Sequence, residues 1–101
     1  MLAIELGADG RVSMSGRLDA SQAAAAQAAL DRTNGTVTLD CTALEYLSSA
    51  GLGVLLKTHK RLLTAGGKLR LTGVNRHLQD IFNYSGFSQL FEIEPAGNPA
   101  A

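Results

Sequence analysis

At the start of the chain every second residue is apolar. Leu2, Ile4 and Leu6 in LAIEL, then Val12 and Met14 in RVSMS, follow the two-residue period that sends one side of an extended strand into a core. Between them, GADG holds Asp9-Gly10, a pair that turns hairpins, so an antiparallel pair of strands is expected. The pattern then changes. GRLDASQAAAAQAALDR is rich in alanine, which favours helix, and Leu30 with some of the alanines supplies a buried stripe. Asp19 or Ser21 stands where a cap is needed, predicting a helix over about 21–32.

GTVTLDCT returns to alternation with β-branched residues and follows Asn34-Gly35, which predicts a central strand from Thr36 to Asp40. In the segment after it, Leu52, Leu55, Leu56, Leu62 and Leu63 recur at three- and four-residue steps. Lys57, Lys60 and Arg61 stand between them, and Gly66-Gly67 ends the helix. KLRLTG predicts another strand with Leu69 and Leu71 on one face. VNRHLQDIFNYSGF predicts a third helix, capped by Asn75, with Leu78, Ile81 and Phe82 inward and a stop near Ser85-Gly86. QLFEIE is expected as a short edge strand.

The predicted order β-β-α-β-α-β-α-β calls for an initial hairpin followed by parallel neighbours joined through right-handed crossovers. The expected fold is α/β: one domain over about 1–95, with a mixed sheet of about four to five strands and three to four helices packed against it. Residues 96–101, small and proline-containing, are expected to be frayed. In such sheets binding sites lie beyond the carboxyl ends of the strands, which directs attention to EYLSSAGLG.

Composition narrows the function. With 101 residues there is room for one core and not for separate catalytic and substrate domains. Nine Lys and Arg balance nine Asp and Glu, so no net field favours nucleic acid or an anionic membrane. No apolar run approaches the roughly 20 residues of a membrane span, the N-terminus lacks a basic leader, and a lone cysteine points to a reducing cytoplasm. Cys41 follows a buried strand without a basic activator, as a packed thiol would. His59 and His77 have no second ligand at metal spacing, and no convergent acid-base pair or serine-histidine-aspartate order suggests an enzyme, a metal or a cofactor.

The serine-glycine corner remains. Ser48 and Ser49 fall at the first turn of the strongest helix, where unpaired N–H groups and the helix dipole favour an oxygen or a negative charge. Gly51 and Gly53 each cost that helix about 1 kcal/mol relative to alanine. A bare, smooth helix start accounts for that cost, because a macromolecule can approach the serines closely. Two readings stand side by side: Ser49 as an ordinary N-cap, and the corner as a regulated docking site. SSAGLG lacks the lysine of a phosphate-binding P-loop.

At this point the chain resembles the STAS domain family, and within it the stand-alone anti-sigma factor antagonists. GRLD resembles the family's G-E-L-D. VTLDCTALEYLSSAGLGVLL resembles its D-x-x-x-[LV]-x-[FY]-[IML]-D-S-[ST]-G-[LI]-G segment, and GGKLRLTGVNRHLQDIFNYSGFSQLFEI its closing strand, helix and strand. The resemblance covers nearly the whole chain. It implies a partner that is an anti-sigma factor and a serine kinase of the GHKL ATPase type, with a PP2C-type phosphatase as a second candidate partner. Aligned on Gly51, the family's phosphorylated serine falls on Ser49, and phosphorylation there ends binding. Ser48 stands where the family often has aspartate and is a rival acceptor, while Ala50 replaces a second serine or threonine. Asp19 resembles a loop aspartate near that serine, or it caps the first helix. The expected docking surface is Asp19, Ser48, Ser49, Ala50, Gly51, Leu52 and Gly53, extended by the basic face of Lys57, Lys60 and Arg61. The competing reading is a STAS-like accessory subunit of a phospholipid-trafficking ABC transporter, which docks on the same surface without being phosphorylated.

Overall fold

The computed structural model describes residues 2–95, and the expected frayed tail at 96–101 lies outside the described residues. The chain runs β1 (Leu2–Leu6), β2 (Arg11–Leu18), a 3₁₀ turn (Ala20–Gln22), α1 (Ala23–Leu30), β3 (Thr36–Leu47) and α2 (Ser49–Thr64). It continues through β4 (Lys68–Val74), α3 (Arg76–Ser85), a second 3₁₀ turn (Phe87–Gln89) and β5 (Glu92–Pro95). The strands lie in the sheet in the order β1-β2-β3-β4-β5. β1 and β2 are antiparallel and every other neighbouring pair is parallel, which is the hairpin plus crossovers that the pattern predicted.

Alternation along the strands sorts the two faces. Val12, Met14 and Leu18 of β2, Val37, Leu39, Cys41, Leu44 and Leu47 of β3, and Leu69, Leu71 and Val74 of β4 are buried and form one cluster with Leu55 and Leu62 of α2 and Leu78 and Phe82 of α3. The residues between them are half-buried, as Ser13, Thr38 and Thr72 are, or exposed, as Arg11, Asp40 and Thr42 are, so the core lies on one face and the other face is largely polar.

β3 is longer than expected: twelve residues, ending at Leu47 and not near Asp40. The reason is in its register. Ser13 pairs with Asp40 but Ser15 with Ala43, and Gly16 pairs with Leu44 but Arg17 with Tyr46, so β3 holds an extra residue at each of two bulges. Each bulge breaks the two-residue period and hides the second half of the strand from a periodicity argument.

Helix one also differs from its predicted span of about 21–32. Asp19 accepts from the Ser21 N–H at 3.1 Å and the Ser21 hydroxyl at 2.6 Å, which winds Ala20–Gln22 as a 3₁₀ turn before α1 begins at Ala23. Its far end is held by Arg61, whose Nη2 donates to the carbonyls of Leu30 at 3.0 Å and Thr33 at 2.9 Å. In α2 the buried residues are Gly51, Leu52, Val54, Leu55, Thr58, His59 and Leu62, whereas of the predicted stripe Leu56 is only half-buried and Leu63 is 53% exposed. α3 matches its prediction, with Asn75 Oδ1 accepting from the Leu78 N–H at 2.8 Å and Gly86 closing it at φ 78°. The last strand is shifted from QLFEIE to Glu92–Pro95, because Phe87–Gln89 forms a turn and Phe91 turns inward against His59 and Phe82.

Candidate functional site

The parallel strands β2 and β3 end side by side at Leu18 and Leu47, and both chains turn there. The Ser48 N–H donates to the Leu18 carbonyl at 3.0 Å, so one more bond follows the last strand pair before the helix starts. Ser48 is then the N-cap of α2, in extended conformation, and its Oγ accepts from the Gly51 N–H at 3.2 Å. This corrects the expectation that Ser49 could be the ordinary cap. Ser49 is the first residue of the helix proper, exposed, and its hydroxyl is left out of the capping bond.

The two glycines serve different purposes. A Cβ on Gly51 would lie 2.7 Å from Leu47 Cδ1, 2.8 Å from the Leu18 carbonyl oxygen and 2.9 Å from Leu18 Cγ. Gly51 is thus buried, and the missing side chain lets the helix start sit directly on the two strand ends. Gly53 would meet nothing within 4 Å. It lines a shallow groove of about 350 Å³ with Ala23, Ala24 and Gln27 of α1 and Ala50, Val54 and Lys57 of α2.

Among the expected docking residues, Ser49, Ala50, Lys57 and Lys60 are exposed and Gly53 is partly so. Ser49, Gly53, Lys57 and Lys60 follow steps of four, four and three, which makes them one stripe on α2. Gly51 and Leu52 lie beneath this surface, Leu52 at 9% exposure. Arg61 leaves the basic face, since its guanidinium is bound to the end of α1 and lies 3.7 Å from Asp31. Asp19 follows Leu18, the residue that binds the Ser48 N–H, and so sits at the same end of the sheet. Its carboxyl is held below the usual value, first by the Ser21 hydroxyl and then by backbone N–H groups of Ser21 and Gln22, with Arg17 adding a favourable charge.

The first turn of α2 contains no acidic residue, so no carboxylate there meets the positive end of the helix dipole. Pattern reading missed two features of this end of the molecule. The α1 wall of the groove includes Gln27, whose Nε2 donates to Thr58 Oγ1 at 3.2 Å and ties the two helices together. The Arg17 guanidinium lies 4.2 Å from the centre of the Tyr46 ring on the open face of the sheet. Neither contact is visible in spacing, because each joins residues far apart in sequence.

The two histidines and the cysteine are placed away from this chemistry. His59 is 7% exposed, its Nδ1 accepts from the Leu69 N–H at 3.1 Å, and its ring lies 5.1 Å from that of Phe91. That acceptor role puts the imidazole proton on Nε2. His77 is exposed on α3. Cys41 is buried, and its thiol is pushed up to about 12, first by burial and then by the Asp40 carboxylate.

The α/β scaffold thus sets the start of α2, with Ser48 and Ser49, next to the groove between α1 and α2. Residues 3–92 match the family described as Mlab, STAS domain, and the chain belongs to the STAS-domain family. It is 37% identical over 74 residues to BtrV of Bordetella bronchiseptica, a protein assigned as an anti-sigma factor antagonist. The match covers 73% of this chain and spans 64% of the length of that relative. Among solved structures, an anti-sigma factor antagonist from Mycobacterium paratuberculosis superposes with a TM-score of 0.76 at 25% identity, over 99% of this chain and 89% of the other. The Bacillus cell fate determinant SpoIIAA in its phosphorylated form gives 0.72 at 18% identity, over 99% and 95%, and supports the fold alone.

Proposed function

We propose that this protein is an anti-sigma factor antagonist. It docks an anti-sigma factor that is also a GHKL-type serine kinase, and phosphorylation of Ser49 ends the docking. The observation that carries this reading is the division of roles between adjacent serines: Ser48 is tied into the helix cap, while Ser49 stands exposed at the first helical position. Names of relatives point the same way.

The chemistry is a γ-phosphoryl transfer from ATP to Ser49 Oγ, in which the hydroxyl proton passes to a base of the kinase and ADP leaves. The product carries about −1.5 to −2 charges at pH 7 and meets a helix start free of carboxylates, so α2 keeps its structure. The docking stripe changes more. Lys57 and Lys60 bring two positive charges to it, and one phosphate about cancels them while adding a group that a close interface would have to desolvate. Asp19, at the same end of the sheet, belongs to the rim of the docking surface.

The test is mass spectrometry after incubation with ATP and a GHKL-type anti-sigma kinase that binds the protein, on wild type, Ser49→Ala and Ser48→Ala. Phosphate on wild type and Ser48→Ala but absent from Ser49→Ala supports the switch. Loss only in Ser48→Ala moves the acceptor by one residue. Binding without phosphate in any of the three supports the second reading, a constitutively docked accessory subunit of the kind found in phospholipid-trafficking ABC transporters. That reading draws on Ser48 itself: in place of the family's frequent aspartate, the site holds a hydroxyl whose bond to Gly51 already gives it a role.

A further inference from the structure

The two edges of the sheet are built differently. β5 is four residues long, carries Glu92 and Glu94, ends in Pro95 and meets β4 through a register shift. Short length, charge, proline and irregularity are the devices that keep an edge from pairing. β1, at the other edge, is only one residue longer, but over Leu2–Leu6 it has no proline, carries the single charge of Glu5 and pairs with β2 in unbroken register.

The hairpin fixes which backbone groups of β1 are free. The Gly7 N–H donates to the Arg11 carbonyl at 2.7 Å, so Gly7–Arg11 is a bonded pair. In an antiparallel ladder bonded and unbonded pairs alternate, which makes Glu5–Ser13 and Ala3–Ser15 bonded and Leu6–Val12, Ile4–Met14 and Leu2–Gly16 unbonded. The N–H and C=O groups of Leu2, Ile4 and Leu6 therefore point out of the sheet edge. Their side chains lie on the core face beside the buried Met14 and Val12, yet Leu2 and Ile4 are only half-buried and Leu6 is 41% exposed.

We propose that β1 is the contact between two copies of this chain, which pair antiparallel about a twofold axis at Ile4 to continue one sheet across ten strands. In that register Leu2 of each copy faces Leu6 of the other and Ile4 faces Ile4. All the outward groups are then matched, giving two hydrogen bonds at each of the three facing pairs. The charges select this register. Glu5 faces Ala3 of the second copy, whereas a shift of the pairing sum by two in one direction sets Glu5 against Glu5 and in the other carries Leu6 past the other copy's β1. The core face gains as well, because the exposed Leu6 comes to lie between its own Val12 and the other copy's Leu2, extending the apolar layer over the junction.

The experiment combines sedimentation with cysteine cross-linking on the full chain. Wild type is expected to rise with concentration from the monomer mass of 10.6 kDa toward twice that value. Ile4→Pro is expected to stay monomeric with a native circular dichroism spectrum, since the N–H it removes is one the monomer does not use. Ala3 and Glu5 form an unbonded facing pair across the axis, about 4.5 Å between Cα atoms, which suits a disulfide. An equal mixture of Ala3→Cys and Glu5→Cys chains should then cross-link at least tenfold more than either variant alone, and the buried Cys41 does not compete. A wild type that keeps the monomer mass at every concentration overturns the proposal. So does a mixture that cross-links no better than Glu5→Cys alone, and this arm decides the matter even where Ile4→Pro does not fold.

Discussion

Gly51→Ala and Gly53→Ala are the same chemical change two residues apart in the same helix, and the structure gives them opposite signs. Each replaces a glycine by the best helix former, a gain of about 0.8–1.0 kcal/mol in a helix interior and less near an end. At Gly53 nothing lies within 4 Å of the added methyl, so that gain stands and the variant should be more stable by about 0.5–1 kcal/mol. At Gly51 the methyl meets three atoms between 2.7 and 2.9 Å away. Leu47 Cδ1 is a side-chain end and can rotate away. The Leu18 carbonyl cannot, because it belongs to β2 and holds the Ser48 N–H. Overpacking of this kind costs about 1–3 kcal/mol, and subtracting the helix gain leaves Gly51→Ala less stable by about 0.5–2 kcal/mol. Urea denaturation followed by circular dichroism reads both differences, and in a domain of this size 1 kcal/mol corresponds to a shift of about 4–8 °C in Tm. A Gly51→Ala variant as stable as Gly53→Ala would show that the helix start does not rest on the strand ends, and the account of the corner would fall.

Ser48→Ala should lose about 1 kcal/mol with its cap, while Ser49→Ala should be near neutral; equal losses in urea denaturation would contradict the assignment of the cap to Ser48. Arg61→Ala should destabilise by about 1–2 kcal/mol by leaving the Leu30 and Thr33 carbonyls without their donor, and Arg61→Lys should recover only part of it, since one ammonium on a shorter side chain has to reach the place of Nη2 and gives up the Nε approach to Asp31; full recovery in thermal melts would show that a single donor nitrogen is enough. The folded pKa values of Glu92, Asp19 and Asp40 are lowered, from ordinary values of 4.5, 3.8 and 3.8, by Lys68 with Arg70, by Ser21 and by Thr42. Their contribution is complete above those ordinary values and drains as pH falls through the lower folded ones, so the urea midpoint should drop on acidification below about pH 4.5, less steeply in Glu92→Gln; a flat profile would show that these contacts do not form in solution.

Most of the architecture was legible because the strands and α2 obey the periods that their burial demands. What escaped notice did so for identifiable reasons. The second half of β3 was invisible because two bulges reset its phase, so Leu44 and Leu47 fall three apart where a strand reader expects two. The identity of the cap was missed by one residue, since Ser48 and Ser49 are chemically the same and only backbone geometry distinguishes a cap from a first helical position. Arg61 has the spacing of a solvated face, and nothing local shows that the end of α1 lies within its reach. Gly51 and Gly53 likewise look interchangeable in SSAGLGVLL, although one is enclosed by Leu18 and Leu47 and the other opens on a groove. Around the corner, the sequence carried residue type and position, whereas the long-range contacts that give each residue its task emerged only from the packed structure.

The strand order β1-β2-β3-β4-β5 has a consequence for how the molecule comes into being. Spatial order equals order of synthesis, so no strand has to be inserted between two that already exist. As the chain leaves a ribosome at about 5–20 residues per second, each strand can join the edge left by the one before it. The hairpin of β1 and β2 forms from local contacts, and β3 then adds to it once α1 has closed the first crossover. Until β5 arrives, every intermediate exposes a growing edge. The last of these five strands is the one that carries two glutamates and a proline, so the step that adds it also closes that edge to further pairing.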